Sequence, residues 1–361
     1  MITGLTEITS TKTIEKPTDL EQYGLVNPYC AITVTVDGKT YNLAIGDQNN
    51  FNGQVYFSNG DGNVYMIGSA IVDYFNFGPE QLLQLETIPN MNSLIGLKVE
   101  HEGKTYEITK QTDSDKTYSN HYKWFWDDTV ALDTELTEEM LKVVYDLAWK
   151  GCANHNASEF AEYGLDNPTV ITVTYQKDKT FVLHVGTKTD KGYYARIADS
   201  NMVCYVGYGI ADTLRNLAAD ELKPDEALAM EWDRVDSAEI ILNGKTYSLI
   251  AEEVGDPNGC ATGTYTWKYG DKEVAAGDVF TKLEKLSFVN YATGLTPDET
   301  KEMFRVVFHL KSGNFETVEV VIYGYTSTEC LVTLNGEATI KVERSDVNTL
   351  VTDTEKLFPA A

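Results

Sequence analysis

The sequence predicts an α+β fold in which tandem units of antiparallel β-sheet each carry one main amphipathic helix packed on a sheet face. Three observations predict it: a repeated phrase, hairpin patterns beside that phrase, and helical periodicity after two tryptophans. The phrase Tyr-Gly-Leu-x-Asn-Pro begins at Tyr23 and returns at Tyr163. That spacing exceeds the roughly 20 to 50 residues of a solenoid repeat, so it indicates duplicated globular domains.

An alternating run follows each copy of the phrase. Residues 32–36 and 171–175 alternate apolar side chains with threonine, which is typical of a half-buried strand. In the first copy the run ends at Asp-Gly, residues 37–38, a dipeptide that suits a tight type I′ turn. The returning strands end at Gly46 and Gly186. The pattern therefore predicts one hairpin in each copy.

A second type of hairpin is predicted at 97–108 and 238–250, where two apolar runs flank a glycine turn. Each of these hairpins precedes a tryptophan, Trp124 in one copy and Trp267 in the other. The offset between the two tryptophans is close to the offset between the two phrases. They therefore belong to the same repeat.

Each tryptophan leads into a stretch with helical periodicity. We predict helices over 136–149 and about 278–289, with Thr137 and Asp278 as capping residues. The apolar face of the first comprises Leu136, Met140, Val144, Leu147 and Ala148. The apolar face of the second comprises Val279, Phe280, Leu283 and Leu286.

These repeats divide the chain into three parts. Residues 1–89 are expected to form a partial unit that contains only the second half of the repeat. Residues 90–230 form a full unit, and residues 231–361 form a full but diverged unit, in which the phrase has changed to Tyr-Ala-Thr-Gly-Leu-Thr-Pro at 291–297. The 361 residues are enough for two or three domains, each with its own core.

The phrase itself has a local structural explanation. Proline biases the preceding Asn27 or Asn167 towards extended geometry, which ends a helix. Gly24 and Gly164 can then supply a left-handed cap. We interpret the phrase as a structural element rather than a binding motif.

Composition excludes some classes of partner. The chain has 55 acidic and 29 basic residues, and its net charge of −26 would repel nucleic acid and anionic lipid surfaces. The sequence contains no run of about 18 apolar residues, so direct membrane insertion is not expected. It also lacks the order of charged, apolar and small residues that marks a signal peptide at its start.

The five cysteines are scattered and contain no Cys-x-x-Cys spacing. We expect isolated buried thiols, because free cysteine packs as a small apolar residue. Neither a disulfide framework nor a zinc site is predicted. The cysteines are Cys30, Cys152, Cys204, Cys260 and Cys330.

The sequence contains no recognisable catalytic motif. The five histidines are far apart and form no His-Glu-x-x-His, and there is no nucleophile elbow, phosphate-binding loop or dinucleotide-binding glycine pattern. Residues 59–63 offer oxygen ligands at alternate positions, but Val64 occupies the place of the glycine in a calcium loop. We predict an ordinary turn there, and no catalytic residue, metal or cofactor.

An aromatic cluster supplies the candidate binding residues, which are Tyr122, Trp124 and Trp126. Aromatic side chains commonly anchor partners or stack on sugars. Trp124 has a second interpretation as a core residue, because Trp267 is its counterpart in the next unit. Trp126 has no such counterpart, and strand alternation places it on the same face as Trp124, with Phe125 opposite.

The motifs together resemble a bacterial family, the domain of unknown function 4340. The resemblance rests on Tyr-Gly-Leu-Asp-Asn-Pro at 163–168, the hairpin after it, the strand that ends in His184-Val185-Gly186, and the strands around Tyr194 and Tyr205. It is strongest over residues 90–225. It implies an outward-facing protein that is tethered to the membrane by an N-terminal segment and accompanies transporters of the ATP-binding-cassette class. It implies no catalytic residues.

The leading hypothesis is a non-enzymatic, extracytoplasmic interaction or scaffold protein, accessory to such a transporter or to the cell envelope. Its expected partner is a protein there, and its membrane tether is expected in a segment absent from this chain. A secreted or cytoplasmic location stays open. A carbohydrate-binding module that uses exposed aromatic residues, and an unrecognised hydrolase, are the alternative hypotheses.

Overall fold

The computed structural model describes residues 5, 7–78, 82–111, 117–254, 264–311 and 315–358. The chain forms two compact units, residues 1–85 and 86–361. Within the described residues there are three antiparallel β-sheets and a few short helices. The β-rich, antiparallel part of the predicted fold is therefore confirmed. Cys260 lies outside the described residues.

The first unit holds a five-stranded sheet with the order β1-β5-β4-β3-β2. Helix α1, Ala70–Asp73, follows the last strand. The strands are β1 (Ser10–Ile14), β2 (Cys30–Val36), β3 (Lys39–Gln48), β4 (Val55–Ser58) and β5 (Val64–Ile67).

The second unit holds two nine-stranded sheets, called here the middle sheet and the last sheet. The strands of the middle sheet are β6 (Leu94–His101), β7 (Lys104–Lys110), β8 (Trp124–Trp126), β9 (Val130–Leu132), β10 (Trp149–Asn154), β11 (Thr169–Tyr175), β12 (Lys179–Thr189), β13 (Gly192–Ile197) and β14 (Val203–Val206). Those of the last sheet are β15 (Val235–Leu242), β16 (Lys245–Val254), β17 (Thr264–Tyr269), β18 (Lys272–Val274), β19 (Phe288–Tyr291), β20 (Glu302–Leu310), β21 (Thr317–Gly324), β22 (Glu329–Leu334) and β23 (Glu337–Glu343). The helices are α2 (Thr134–Met140), α3 (Lys142–Tyr145), α4 (Tyr208–Leu214), α5 (Ala276–Glu284) and α6 (Arg344–Leu357).

The three sheets share one topology. The middle sheet has the order β9-β8-β7-β6-β11-β12-β13-β14-β10, and the last sheet has the order β18-β17-β16-β15-β20-β21-β22-β23-β19. Strand by strand these are the same arrangement, and the five-stranded sheet reproduces the half that runs from β11 to β10. The stretches around Trp124 and Trp267 occupy equivalent strands, as duplication predicts.

The repeated phrase forms the same local structure in both copies. A 3₁₀ turn, Glu21–Tyr23 or Ala161–Tyr163, ends at a glycine in the left-handed conformation, with φ of 65° at both Gly24 and Gly164. The predicted left-handed cap is confirmed. Because a side chain at this φ would be strained, glycine is favoured at the position.

The returning strands continue past the two glycines, since Gly46 lies inside β3 and Gly186 inside β12, and a close approach explains why both residues are glycine. A Cβ atom on Gly46 would lie 2.1 Å from the carbonyl oxygen of Tyr23, and a Cβ on Gly186 would lie 2.1 Å from that of Tyr163. No side chain fits at that distance. The recurrence of both glycines at the spacing of the phrase therefore reflects one packing contact made twice, between the returning strand and the 3₁₀ turn.

The first predicted helix, 136–149, was wrong in its bounds. The structure has two short helices there, α2 and α3, and Trp149 begins strand β10. Asp133 rather than Thr137 caps α2, since its carboxylate accepts a hydrogen bond from the Leu136 backbone N–H at 2.7 Å. Leu136 itself is 49% exposed, so it does not belong to the apolar face.

The second predicted helix is better matched by α5. Val279, Phe280 and Leu283 are buried as predicted, although Ala275 and not Asp278 is the residue before the helix. The 14-residue α6, the longest helix in the part of the chain that the structure describes, is absent from the sequence-based prediction. None of the helices among the described residues is long and apolar enough to span a membrane.

The expectation of isolated thiols was wrong for two of the cysteines. Cys152 in β10 and Cys204 in β14 are directly opposite each other in the middle sheet. Cys30 lies in β2 of the five-stranded sheet, and Cys330 lies in β22 of the last sheet. The cause is the long-range pairing of β10 with β14, which cysteine spacing does not reveal.

Candidate functional site

A cleft of about 470 Å³ lies in the second unit, between the β8–β9 end of the middle sheet and the β22–β23 turn of the last sheet. We call it the tyrosine cleft. Its volume falls in the range of small-ligand sites, which is about 300 to 1,000 Å³. Its aromatic lining consists of Tyr118, Tyr122, Phe125, Tyr291 and Phe315.

Residues 117–123 bring two tyrosines to the cleft. A 3₁₀ turn, Asn120–Tyr122, is capped by Ser119, whose hydroxyl accepts a hydrogen bond from the His121 backbone N–H at 3.2 Å. The Arg234 guanidinium donates to the Tyr118 carbonyl oxygen at 3.0 Å and so fixes this segment against the last sheet. Both tyrosine rings join the hydrophobic core of that sheet.

The two phenols are bonded differently. The Tyr122 hydroxyl donates a hydrogen bond of 2.6 Å to the Glu226 carboxylate. The Tyr118 hydroxyl lies near the Tyr122 side chain and the Ala229 backbone, but forms no hydrogen bond of good geometry with any described residue. Since Tyr118 is only 5% exposed, a buried polar group is left unsatisfied at the cleft.

Burial also fixes the charge state of these groups. Desolvation raises the pKa of both Tyr118 and Tyr122 well above the usual value for a phenol. Each is therefore a neutral hydroxyl at physiological pH. The Tyr118 hydroxyl has almost no accessible surface, so the ring of Tyr118 and not its hydroxyl lines the cleft.

The opposite wall of the cleft is formed around Lys223. Its ammonium contacts Asp220 at 2.6 Å and Thr293 Oγ1 at 3.3 Å, and lies 5.1 Å from the centre of the Tyr291 ring. The Tyr291 hydroxyl donates back to the Lys223 carbonyl oxygen at 3.0 Å. This closed set of contacts holds the wall in place and leaves Thr293 exposed at the rim.

The three predicted binding residues are placed differently by the structure. Tyr122 lines the tyrosine cleft, whereas the Trp124 side chain is fully buried in the core of the middle sheet. Trp126 is half-buried and stacks on Tyr106, with ring centres 4.4 Å apart. Phe125 points to the other face, as alternation predicts, and lines the cleft. Binding by Tyr122, Trp124 and Trp126 stays a prediction.

Sequence reasoning missed the other residues of the site. Tyr118, Glu226 and Tyr291 lie in three separate stretches of the chain and carry no shared motif. They meet because the last sheet packs against the segment before β8. The aromatic cluster at 121–126 is the sequence signal that points to this site, because its residues Tyr122 and Phe125 line the cleft.

A second aromatic feature is a row of three tyrosines on the face of the middle sheet that points away from its Trp124 core. Tyr163 packs edge-on against Tyr194 at 5.0 Å, and Tyr194 lies 5.2 Å from Tyr205. The Lys191 ammonium lies 5.4 Å from the Tyr205 ring. Tyr194 and Tyr205 are half-buried, so part of each ring contacts solvent.

Residues 59–63, the candidate calcium loop, connect β4 to β5. Its polar side chains bond within the turn: Asn59 Oδ1 accepts from the Asp61 N–H at 3.0 Å, and Asp61 Oδ1 accepts from the Asn63 N–H at 2.8 Å. Over the part of the chain that the structure describes, no three His, Cys, Asp or Glu side chains are grouped as a metal site would need.

Comparison with known proteins identifies the family. The sequence profile described as "Domain of unknown function (DUF4340)" matches residues 1–154 and, as a second copy, residues 127–303. Searches of curated proteins and of solved structures found no match. The two profile matches together span most of the chain and agree with the repeated sheets. The chain therefore belongs to the DUF4340 family, in two tandem copies.

Proposed function

We propose that this chain is a non-enzymatic interaction protein that receives a side chain of a protein partner in the tyrosine cleft. The observation that carries the proposal is the lining of the tyrosine cleft, an open and mainly apolar cavity with Tyr118 and Tyr122 on one wall. A cavity of about 470 Å³ accommodates a large side chain. Anchors of this type dominate the energetics of many interfaces.

The partner is proposed to be an envelope protein, such as a transporter component of the ATP-binding-cassette class. Family membership motivates this location, with a membrane tether outside the present chain. The net charge of −26 favours a partner whose contact surface is basic at its rim. A secreted or cytoplasmic location is the alternative. The capture experiment described below distinguishes these locations from the envelope.

The repeated architecture suits a scaffold role. We infer that the duplicated ancestor combined one sheet with one amphipathic helix, as the last sheet and α5 still do. Rigid sheets hold the cleft walls at fixed positions, which lowers the entropic cost of binding. Such a module would present a binding surface without catalysing a reaction.

Blocking the cleft tests the proposal. Thr293 lines the cleft and is exposed, so Thr293→Trp would place an indole at its mouth and would remove only the hydrogen bond that Thr293 Oγ1 accepts from Lys223. We expect the tagged wild-type chain to capture a transporter or envelope protein from native membranes, and Thr293→Trp to capture at least about tenfold less, since occlusion removes an anchor of roughly 1.4 kcal/mol or more.

Thr349→Trp is the matched control, because Thr349 is an exposed threonine on α6 and does not line the cleft. It should capture the same protein as the wild type. Equal capture by both variants would contradict binding in the cleft. Recovery of the partner only from the cytosolic fraction would contradict the envelope location.

Carbohydrate binding is a second candidate, and the row formed by Tyr163, Tyr194 and Tyr205 favours it. The partly exposed rings of Tyr194 and Tyr205 form a platform on which sugar rings stack, while Tyr163 is buried and packs against Tyr194. On this hypothesis the wild type binds a glycan array and Tyr205→Ala loses about tenfold in affinity, while Tyr41→Ala, at an exposed tyrosine of the first unit, does not. An array without hits would remove this candidate.

A further inference from the structure

Two cysteine side chains face each other at one edge of the middle sheet. Cys152 lies in β10, the edge strand, directly opposite Cys204 in β14. Cys204 is 1% exposed, whereas Cys152 is half-buried. Both are in the thiol form, and the Cys152 thiol donates a hydrogen bond to the Val203 carbonyl oxygen at 3.7 Å.

The register of these strands fits a disulfide. Directly opposite residues of an antiparallel pair have Cα atoms about 4.5 or 5.5 Å apart, depending on whether the pair is hydrogen-bonded. A disulfide joins Cα atoms that are roughly 4.4 to 6.8 Å apart. Both spacings fall within that range, so a bond between Cys152 and Cys204 does not require the strands to move apart or to shift register.

The edge strand is irregular on both sides of Cys152. The register shifts between Trp149 and Gly151, and again between Cys152 and Asn154. Gly151 has a φ of 152°. An irregular edge strand next to glycine can make the small adjustment of Cβ positions that bond formation needs.

The repeated fold does not require cysteine at these two positions. With the same shift of register, the equivalent pair is Thr13 opposite Tyr65 in the first unit. In the last sheet it is Tyr291 opposite Ile340. Three chemically unrelated pairs thus occupy one place in the fold, and only the middle sheet places two thiols there.

We propose that Cys152 and Cys204 are a disulfide site, which is oxidised by a small disulfide such as oxidised glutathione or by a thiol–disulfide oxidoreductase. The Cys152 thiolate attacks a sulfur of the oxidant and releases the first thiol, leaving a mixed disulfide on Cys152. The Cys204 sulfur then attacks the Cys152 sulfur, loses its proton to solvent and releases the second thiol. The two cysteines lose two electrons and two protons, and the oxidant is reduced to two thiols.

The order of these steps follows from exposure and acidity. Cys152 is the more accessible sulfur, so it meets the oxidant first. Burial, with the neighbouring Cys152 as a smaller cause, raises the pKa of the Cys204 thiol to about 12. Cys204 is therefore a poor first nucleophile, and it reacts once the mixed disulfide has formed beside it.

The bond would fasten the edge strand β10 to the sheet. It would also close the loop that contains β11, β12 and β13, which restricts the unfolded chain and so stabilises the fold. Disulfides of this type persist in oxidising compartments outside the cytoplasm. The proposal stands on the strand register and does not depend on binding in the tyrosine cleft.

The test uses the full chain. Purified protein is divided between dithiothreitol and oxidised glutathione, small reagents are removed, and free thiols are counted after denaturation. We expect free thiols to fall from five to three per chain on oxidation. Digestion without reduction should give one peptide pair that joins Cys152 to Cys204. The oxidised chain should also unfold at a higher temperature than the reduced chain.

Two variants complete the test. Cys152→Ser should keep four free thiols after oxidation and show the same unfolding temperature in both conditions. Cys30→Ser, at another half-buried cysteine, should fall from four free thiols to two. Five thiols remaining in the oxidised wild type, a linkage to another cysteine, or a stable glutathione adduct on Cys152 would overturn the proposal. A linked chain with no rise in unfolding temperature would contradict the unstrained geometry.

Discussion

Gly186→Ala is expected to destabilise the second unit by about 3 kcal/mol, near the upper end of the cost of forcing extra atoms into a packed structure. The added Cβ would lie 2.1 Å from the carbonyl oxygen of Tyr163 and 3.1 Å from Gly164 backbone atoms. Those atoms are backbone, so they cannot rotate aside as a flexible side chain could. Either β12 or the 3₁₀ turn must shift. Urea unfolding followed by circular dichroism measures the loss.

Gly209→Ala is the matched control in the same unit. A Cβ there would meet Val143 Cγ1 at 3.9 Å, an ordinary contact, and Gly209 lies within helix α4. Alanine is favoured over glycine in a helix by up to about 1 kcal/mol, so this variant should be neutral or slightly stabilised. Equal unfolding midpoints for the two variants would contradict the close approach at Gly186.

Gly46→Ala is expected to destabilise the first unit for the same reason. Its Cβ would meet the Tyr23 carbonyl oxygen at the same 2.1 Å. Hydrogen exchange should therefore speed up in the five-stranded sheet for this variant, and in the middle sheet for Gly186→Ala. The recurrence of glycine at this spacing is thus accounted for by one backbone contact in each copy.

Much of the sheet architecture could be predicted because its signals are local. The alternation at 32–36 and 171–175 and the turns after it are encoded within about 15 residues, and duplication supplied a second example of each. The hairpins also fixed which consecutive strands are neighbours, but not the pairing of β6 with β11 or of β10 with β14. The shared order of the middle and last sheets then required only that equivalent segments fold alike.

The first helix could not be placed correctly from periodicity alone. Residues Leu136 to Ala148 carry apolar side chains at helical spacing, but pairing with β14 draws Trp149 and the residues after it into a strand. Such pairing depends on a strand far along the chain. Tertiary contact overrode local preference, and the apparent helix became two short ones.

The tyrosine cleft and the cysteine pair could not be predicted from the sequence, because both depend on contacts between distant segments. Tyr118 and Tyr291 meet only because the last sheet packs beside the segment that precedes β8. Cys152 and Cys204 face each other because β10 pairs with the distant strand β14, with a shift of register between Trp149 and Gly151. Neither the packing of two sheets nor a shift of register leaves a repeated spacing in the sequence.

Trp124→Ala is expected to destabilise the second unit by about 4 kcal/mol, as for other large aromatic side chains removed from a core. Trp124 is fully buried and packs in the core of the middle sheet. Trp126→Ala should cost only about 1 to 2 kcal/mol, since Trp126 is half-buried and mainly loses its stacking on Tyr106. Urea unfolding of both variants separates the core interpretation of Trp124 from a binding role.

Trp124→Phe separates the packing of the indole ring from the burial of its N–H. The Trp124 indole N–H is buried and has no hydrogen-bond partner among the described residues, so it carries a desolvation cost of about 1 to 3 kcal/mol. Trp124→Phe removes that donor together with part of the packing, and because the two effects oppose each other we expect a loss of at most about 2 kcal/mol. If Trp124→Ala unfolds like the wild type but fails to capture the partner, Trp124 is a binding residue and the core interpretation is wrong.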